Sequence, residues 1–331
     1  MCSMHEQMKL LEGQGRQVEI DSDAFKKVIR ETKELGAGAV LFIGGEPFLR
    51  KDLFDLAAFA KGLGLGTVIV TNGLLLGRDK IQGCFDSGVD WLSISIDSPN
   101  EDTLSKIRGK GVLAKIIANI ELLNEQKKQS GRDFPKIVSV CTIMAGNLEE
   151  LPAIVRFCRG IGIERLLFQP VVANNIDQTQ RQNVFPGFEH PETYAKLDKS
   201  IDWLISHKKE SKANFDFIGN SIRHLNLIKK YFRGKVSPRS LPCYAGYNRV
   251  QIVQEGKLYF CVNQKKYDAN FGDIKKDNLK DLWYSSRAKF YRKLIRKCSF
   301  PCLQWCAYRD EFIELLGIFQ KKLFFTEHKP G

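Results

Sequence analysis

Short apolar runs alternate with amphipathic stretches along the first half of the chain. Residues 40–43, 67–71, 91–96, 136–143 and 165–168 are largely apolar or β-branched, with polar or glycine-bearing turns after them, and predict strands. Residues 52–61, 79–87, 101–108, 112–128 and 148–160 predict helices between them, and residues 22–35 a helix before the first strand. Ser22 can cap that first helix, with Phe25, Val28 and Ile29 on one face. Strands that alternate with helices predict a parallel sheet with right-handed crossovers. The expected fold class is α/β, a whole or partial β/α barrel, with a doubly wound sheet as the alternative.

The alternation stops after Pro170. Residues 171–189 are polar and read as a loop or lid. Helices are expected at 191–208 and 220–232, then a linker at 234–242. From Cys243 the pattern changes. Residues 249–253 and 257–262 alternate around Gln254-Glu255-Gly256 and predict a hairpin. One helix is expected over 279–296, with Leu279, Leu282 and Trp283 on one side, and a last one over 310–325 with an apolar face.

The 331 residues are 43% hydrophobic, which suits one large domain or one large and one small. No apolar run is long enough to span a bilayer, and the first residues form no apolar leader, so a cytoplasmic location and no membrane partner are expected. The net charge of +13 is compatible with nucleic acid, an anionic surface or an acidic substrate. Because the basic residues are dispersed, a lysine-rich solvated surface is the expectation, and nucleic acid is not the expected partner. Nine cysteines are many for a reducing compartment. Cys84, Cys141 and Cys158 sit singly among apolar neighbours and are expected in the core. Cys243, Cys261, Cys298, Cys302 and Cys306 lie in the last third, where clustered thiolates point to a metal, either zinc or iron–sulfur.

The first strand runs into Gly44-Gly45-Glu46-Pro47. Two glycines expose bare backbone, Glu46 adds a carboxylate and Pro47 fixes φ. In α/β folds ligands bind at the carboxyl ends of strands, so this turn is a candidate cradle. With Thr71-Asn72-Gly73, Ser93-Ile94-Ser95-Ile96-Asp97, Arg108-Gly109 with Gly111, and Gln169-Pro170 in the same order, the chain resembles the radical SAM enzymes that carry a SPASM or Twitch extension. The resemblance implies a partial (β/α)6-type barrel lacking its first strand, plus a small hairpin-and-helix auxiliary-cluster domain. It divides the chain into a barrel at 1–190, a helical connection at 191–242 and the auxiliary domain at 243–331. Gly44, Gly45, Glu46 and Pro47 would receive the methionine end of S-adenosylmethionine. Thr71, Asn72, Ser95, Asp97, Arg108 and Gln169 would lie along the rest of that cofactor.

The family's C-x3-C-x2-C motif, whose thiolates hold a [4Fe-4S] cluster with one iron open, is represented only by Cys2, about forty residues before Gly44. The expectation is that the chain begins inside the motif. Its first strand and two ligands would lie upstream, and as given it would not hold that cluster. Cys243 and Cys261, with Gly256 in G-x4-C spacing, resemble the opening of the extension, and Cys298-x3-Cys302-x3-Cys306 supplies the rest. Five thiolates favour one auxiliary [4Fe-4S] cluster. Cys243, Cys261, Cys302 and Cys306 are the expected ligands, with Cys298 a rival. Residues 270–274 and 279–283 also resemble the extension and favour iron–sulfur over zinc. The implied function is cleavage of S-adenosylmethionine by a reduced cluster and hydrogen abstraction from a peptide or small-molecule substrate, served by a reductant such as flavodoxin or ferredoxin. The alternative is a zinc- or iron–sulfur-stabilised binding or scaffold protein without that chemistry.

Overall fold

Each strand of the first half lies beside the one that precedes it in the chain. β1 (Ala39–Phe42), β2 (Gly66–Thr71), β3 (Trp91–Ser95), β4 (Lys136–Ile143) and β5 (Arg165–Pro170) form one sheet in that order, with all neighbours parallel. The structure is a computed structural model and describes residues 19–172, 187–210, 217–236, 243–261, 269–297 and 302–304. The helices are α1 (Ser22–Glu34), α2 (Leu53–Gly62), α3 (Arg78–Asp86), α4 (Glu101–Arg108), α5 (Val112–Ser130), α6 (Leu151–Gly160), α7 (Pro191–Glu210) and α8 (Ile222–Phe232). The expected loop at 171–189 falls mostly outside the described residues, and the expected helix at 310–325 wholly so.

The strands separate two apolar clusters with a period of two. Ile69, Leu92, Ile94, Ile137, Cys141, Leu166 and Phe168 pack against the helices in the main core. Val68, Trp91, Val138, Val140 and Leu167, with Ala39, Leu41 and Val70, form a smaller cluster on the other face, the inner face of the partial barrel. A parallel strand covered on both faces has to be apolar on both, hence the Val- and Ile-rich runs. The helical connection adds Leu197, Ile201, Leu204, Leu225 and Ile228 to the main core. Cys84 and Cys158 are buried there, and burial pushes their thiols up to about 12. Burial likewise raises Cys141. These three thiols stay protonated and are core residues.

A sixth strand position is occupied only in outline. Leu166 N donates to Phe217 O (2.8 Å) and Gly219 N to Leu166 O (2.9 Å), around a parallel bridge from Leu166 to Ile218. Buried Asn220 continues the ladder with its side chain: its Oδ1 accepts from Phe168 N and its Nδ2 donates to Phe168 O, both at 2.7 Å. A Cβ on Gly219 would lie 2.6 Å from Leu167 Cδ2 and 2.9 Å from Arg165 Nε, so a larger residue there would have to displace those two side chains.

The face of α1 expected from Phe25, Val28 and Ile29 is divided between two partners. Ile29 packs with Leu56, Ala60 and Leu65 of the barrel. Val28 packs with Leu258, Phe260, Phe271 and Leu279 of the C-terminal domain. The helix is therefore the joint between the two. Arg50 fixes its start. Its guanidinium pairs with Asp52 (Nε–Oδ1 2.6 Å) and Glu19 (3.2 Å) and lies 4.4 Å from the centre of the Phe25 ring, while Ser22 Oγ donates to Asp52. Burial pushes the Asp52 carboxyl up, but the Arg50 and Ser22 hydrogen bonds outweigh it, so its pKa falls below the ordinary value. The folded form then binds its proton less readily than the unfolded chain. This stabilisation is complete above about pH 4 and is lost as pH falls through the lowered folded-state value. Urea unfolding between pH 5 and pH 2.5 should show a steeper acid loss in the wild type than in Asp52→Asn. Parallel curves would mean the cluster contributes nothing.

The C-terminal domain holds a three-stranded antiparallel sheet, β6 (Gln251–Ile252), β7 (Lys257–Tyr259) and β8 (Gly272–Asp273). The predicted hairpin is present, turning at Gly256 with φ +90°. β8 has only two residues, too few to show a period. The single helix expected over 279–296 is broken into α9 (Leu279–Tyr284) and α10 (Ser286–Arg296). Ser285 adopts an extended backbone (ψ 157°) and its hydroxyl accepts from Ala288 N, so it caps the second helix instead of continuing the first. Arg292 closes this domain. It donates from Nε to Gly246 O (2.6 Å) and from Nη1 to Trp283 O (2.8 Å), over the Phe260 and Trp283 rings.

Candidate functional site

β1 ends in the open, as a cradle requires. Gly44 and Gly45 are exposed, and a Cβ built on either meets no atom within 4 Å. Gly44 also has φ +150°, a conformation other residues rarely adopt. Around them stand exposed apolar side chains: Ile43, Leu49 and, on the loop after β2, Leu75.

Glu46 turns away from that opening. Oε1 accepts from Thr71 Oγ1 (2.8 Å) and Phe48 N (3.2 Å), and Oε2 accepts from Asn72 N (2.9 Å). The carboxylate thus caps the 3-10 turn Pro47–Leu49 and ties the end of β1 to the end of β2. Pro47 is buried at the first position of that turn, where a missing N–H costs nothing. Thr71 is buried, and its hydroxyl also accepts from Gly73 N (3.0 Å). Asn72 is half-buried and accepts from Leu74 N (2.9 Å), forming its own turn.

The next strand end is braced in the same manner. Asp97 is 1% exposed. Its Oδ2 receives Arg108 Nε (2.7 Å) and Nη2 (2.6 Å), and its Oδ1 receives Thr142 N (2.7 Å). Buried Asn147 donates to Asp97 O (2.8 Å) and Thr142 O (2.9 Å), completing the tie between the ends of β3 and β4. Gly109 and Gly111, after Arg108, take φ +101° and +72° and release the chain into α5.

Three polar side chains remain uncommitted. Ser95, Thr142 and Gln169 are half-buried and make no side-chain hydrogen bond among the described residues. Register pairs Ser95 with Val140 and Thr142 with Gln169, and alternation from Trp91, Val140 and Leu167 puts all three on the inner face. The result is a row of neutral donors and acceptors above an apolar floor, on adjoining strand ends, beside the open glycines. This row and the glycine backbone fit a ligand with ammonium, carboxylate and hydroxyl groups. Sequence reasoning missed Thr142, although the alternation of 136–143 puts it on the same face as Val138 and Val140. It also missed Asn147 and Asn220, which no local pattern singles out.

The C-terminal cysteines are partly outside the described residues, as are Cys2, Cys298 and Cys306. Cys243 is exposed, and half-buried Cys261 and Cys302 lie against the C-terminal and barrel cores respectively. Among the described residues no three His, Cys, Asp or Glu side chains gather as a metal site. Cys302 is held by its neighbour. Asn220 Nδ2 donates to His224 Nδ1 (3.1 Å), which leaves His224 Nε2–H to donate to the carbonyl of buried Leu303 (3.2 Å). The cysteine-bearing leg is thereby anchored to α8.

Comparison with known proteins agrees with this geometry. The family model for the radical SAM superfamily matches residues 1–158, and that for the SPASM iron–sulfur cluster-binding domain matches residues 243–308. The chain is similar to an AdoMet-dependent heme synthase of Methanosarcina barkeri, 29% identical over 196 residues, or 59% of this chain and 51% of that one. It thus spans about half the length of that relative. It is also similar to a tungsten-containing aldehyde ferredoxin oxidoreductase cofactor-modifying protein of Pyrococcus furiosus, 24% identical over 91% of this chain and 83% of that one. Among solved structures, Streptococcus suis SuiB bound to the precursor peptide SuiA superposes with a TM-score of 0.64 at 16% identity, covering 88% of this chain and 68% of the other. Native anSMEcpe with bound AdoMet superposes with a TM-score of 0.61 at 15% identity, covering 84% and 75%. At such identities the likeness is one of fold.

Proposed function

The chain belongs to the radical SAM superfamily and carries a SPASM iron–sulfur cluster-binding domain, and from that premise we propose an enzyme that binds S-adenosylmethionine along the carboxyl ends of β1 to β5. The observation that supports this most is the pairing of open Gly44-Gly45 backbone with the unbonded row Ser95, Thr142 and Gln169. The glycine carbonyls accept from the cofactor's ammonium group, and the row takes its hydroxyl and carboxylate groups. Glu46, Thr71, Asn72, Asp97 and Arg108 act one step back, holding the strand ends in register. Cys2 would supply one of the three thiolates that the radical SAM cluster takes. Cys243, Cys261, Cys302 and Cys306, with Cys298 as the rival, hold one auxiliary cluster.

When bound together, a reduced [4Fe-4S] cluster and S-adenosylmethionine supply homolytic cleavage of the S–C5′ bond and, through it, removal of a hydrogen atom from substrate. The chain's own part is to orient the cofactor and exclude water: the Val70, Val140 and Leu167 floor keeps the inner face dry. The substrate is a peptide or a small molecule, and electrons come from a flavodoxin- or ferredoxin-like donor.

The test is anaerobic purification with iron, sulfide and zinc analysis, then titration with S-adenosylmethionine. Equal iron and sulfide are expected, with most of both lost in Cys243→Ala/Cys261→Ala. Ser95→Ala and Gln169→Ala should each weaken S-adenosylmethionine about tenfold, the loss of one good hydrogen bond of about 1.4 kcal/mol. Zinc without sulfide, or affinity untouched by both substitutions, would sink the proposal.

A further inference from the structure

α10 is amphipathic, with one covered side and one bare one. Ala288 and Ile295 are buried in the C-terminal core, and Tyr291 packs on it. On the opposite side Phe290 is 56% exposed and Leu294 45%. Phe290, Lys293, Leu294 and Lys297 follow helical spacing, so they share one face. With Arg296 they line a groove of about 290 Å³. Arg296 lies 5.2 Å from the Tyr247 ring, while no carboxylate pairs with Lys293 or Lys297 among the described residues. Two large apolar side chains ringed by unpaired cations mark a surface that something covers.

We propose that the occupant is residues 310–325 of the same chain. Phe312, Leu315, Leu316, Phe319 and Leu323 recur at helical spacing and would give that segment one apolar face. Its charges suit an antiparallel partner. Asp310, Glu311 and Glu314 occupy its first half, and Lys293 and Arg296 lie in the last turn of α10, with Lys297 directly after it. A chain that leaves the end of α10 and returns alongside it brings those halves together, which also satisfies both helix dipoles.

The connection is long enough. Lys297 to Cys302 is five steps along the chain, and Gln304 to Asp310 is six. At about 3.4 Å per extended residue each piece reaches roughly 17 to 20 Å. The path goes out to Leu303, held by His224 on α8, and back.

The experiment uses the full chain. Zero-length carbodiimide coupling followed by peptide mass spectrometry should join Lys293 or Lys297 to Glu311 or Glu314. In a mixture of light and heavy isotope-labelled protein, those products should contain one label only. Deleting residues 310–331 should raise the fluorescence of an apolar dye several-fold, and adding Phe290→Asp and Leu294→Asp to the deletion should abolish the rise. Products that mix both labels would give the groove to a second copy. Sedimentation of the full chain with phosphatidylserine vesicles that is lost in Leu294→Asp would give it to a membrane. Either result overturns the proposal, as does the absence of those coupled peptides from the full chain.

Discussion

Arg108→Ala is expected to destabilise the protein by about 3 kcal/mol, the scale for stripping one partner from a buried ion pair. Asp97 is 1% exposed, and among the described residues the only remaining partner of its side chain would be Thr142 N. Arg108 is 26% exposed, which holds the figure at the low end of the range. Asp97→Ala should cost about 2 to 3 kcal/mol, chiefly because Thr142 N–H loses its acceptor between β3 and β4. The double variant should cost clearly less than the sum, since removing both partners leaves no buried charge. Urea denaturation of the four proteins measures this cycle. Strict additivity would show that the 2.6 and 2.7 Å contacts carry no coupling.

Glu46→Ala should cost about 2 to 3 kcal/mol and weaken S-adenosylmethionine by at least about tenfold. Three donors lose one carboxylate: Phe48 N, Thr71 Oγ1 and Asn72 N. Two of them belong to β2 and the loop after it, so the end of β1 is released from its neighbour. Thr71→Val separates bracing from contact with ligand. It removes a donor to Glu46 without altering any group in the open glycine turn. If Glu46 acts as a brace, Thr71→Val also weakens the cofactor, by a smaller factor that follows its loss in melting temperature. If cofactor affinity falls only in Glu46→Ala, the carboxylate touches the ligand instead.

The two variants mark where reading the chain and seeing it folded diverge. Glu46 and Asp97 stand at strand ends, and their positions were legible because a strand of period two ends where its apolar run ends. Their directions were not. A carboxylate after a strand can point into the opening or back at a neighbouring strand, and its choice depends on Thr71 and Asn72, or on Arg108 and Thr142, each supplied by a different segment. Ser95 and Gln169 follow from their places in the resemblance, and the fold adds Thr142 between them through register alone. The break at Ser285 is invisible in the sequence because apolar periodicity runs through it and only the backbone shows the hydroxyl used as a cap. The division of α1 escaped because Val28 and Ile29 are adjacent, so one apolar face could serve two cores.

The residues alone determined the alternation of strands and helices, the open Gly44-Gly45 turn, the core placement of Cys84, Cys141 and Cys158, and the change of pattern at Cys243. All of these rest on local period, on backbone freedom or on spacing within a short stretch. Tertiary structure decided which polar groups at the strand ends are spent on holding neighbours together and which face the inner side. It also decided that an asparagine and a histidine, Asn220 and His224, anchor the leg that carries Cys302. A hydrogen bond between segments distant in the chain leaves no mark on either one, because each donor is satisfied by whatever acceptor the fold brings within about 3 Å.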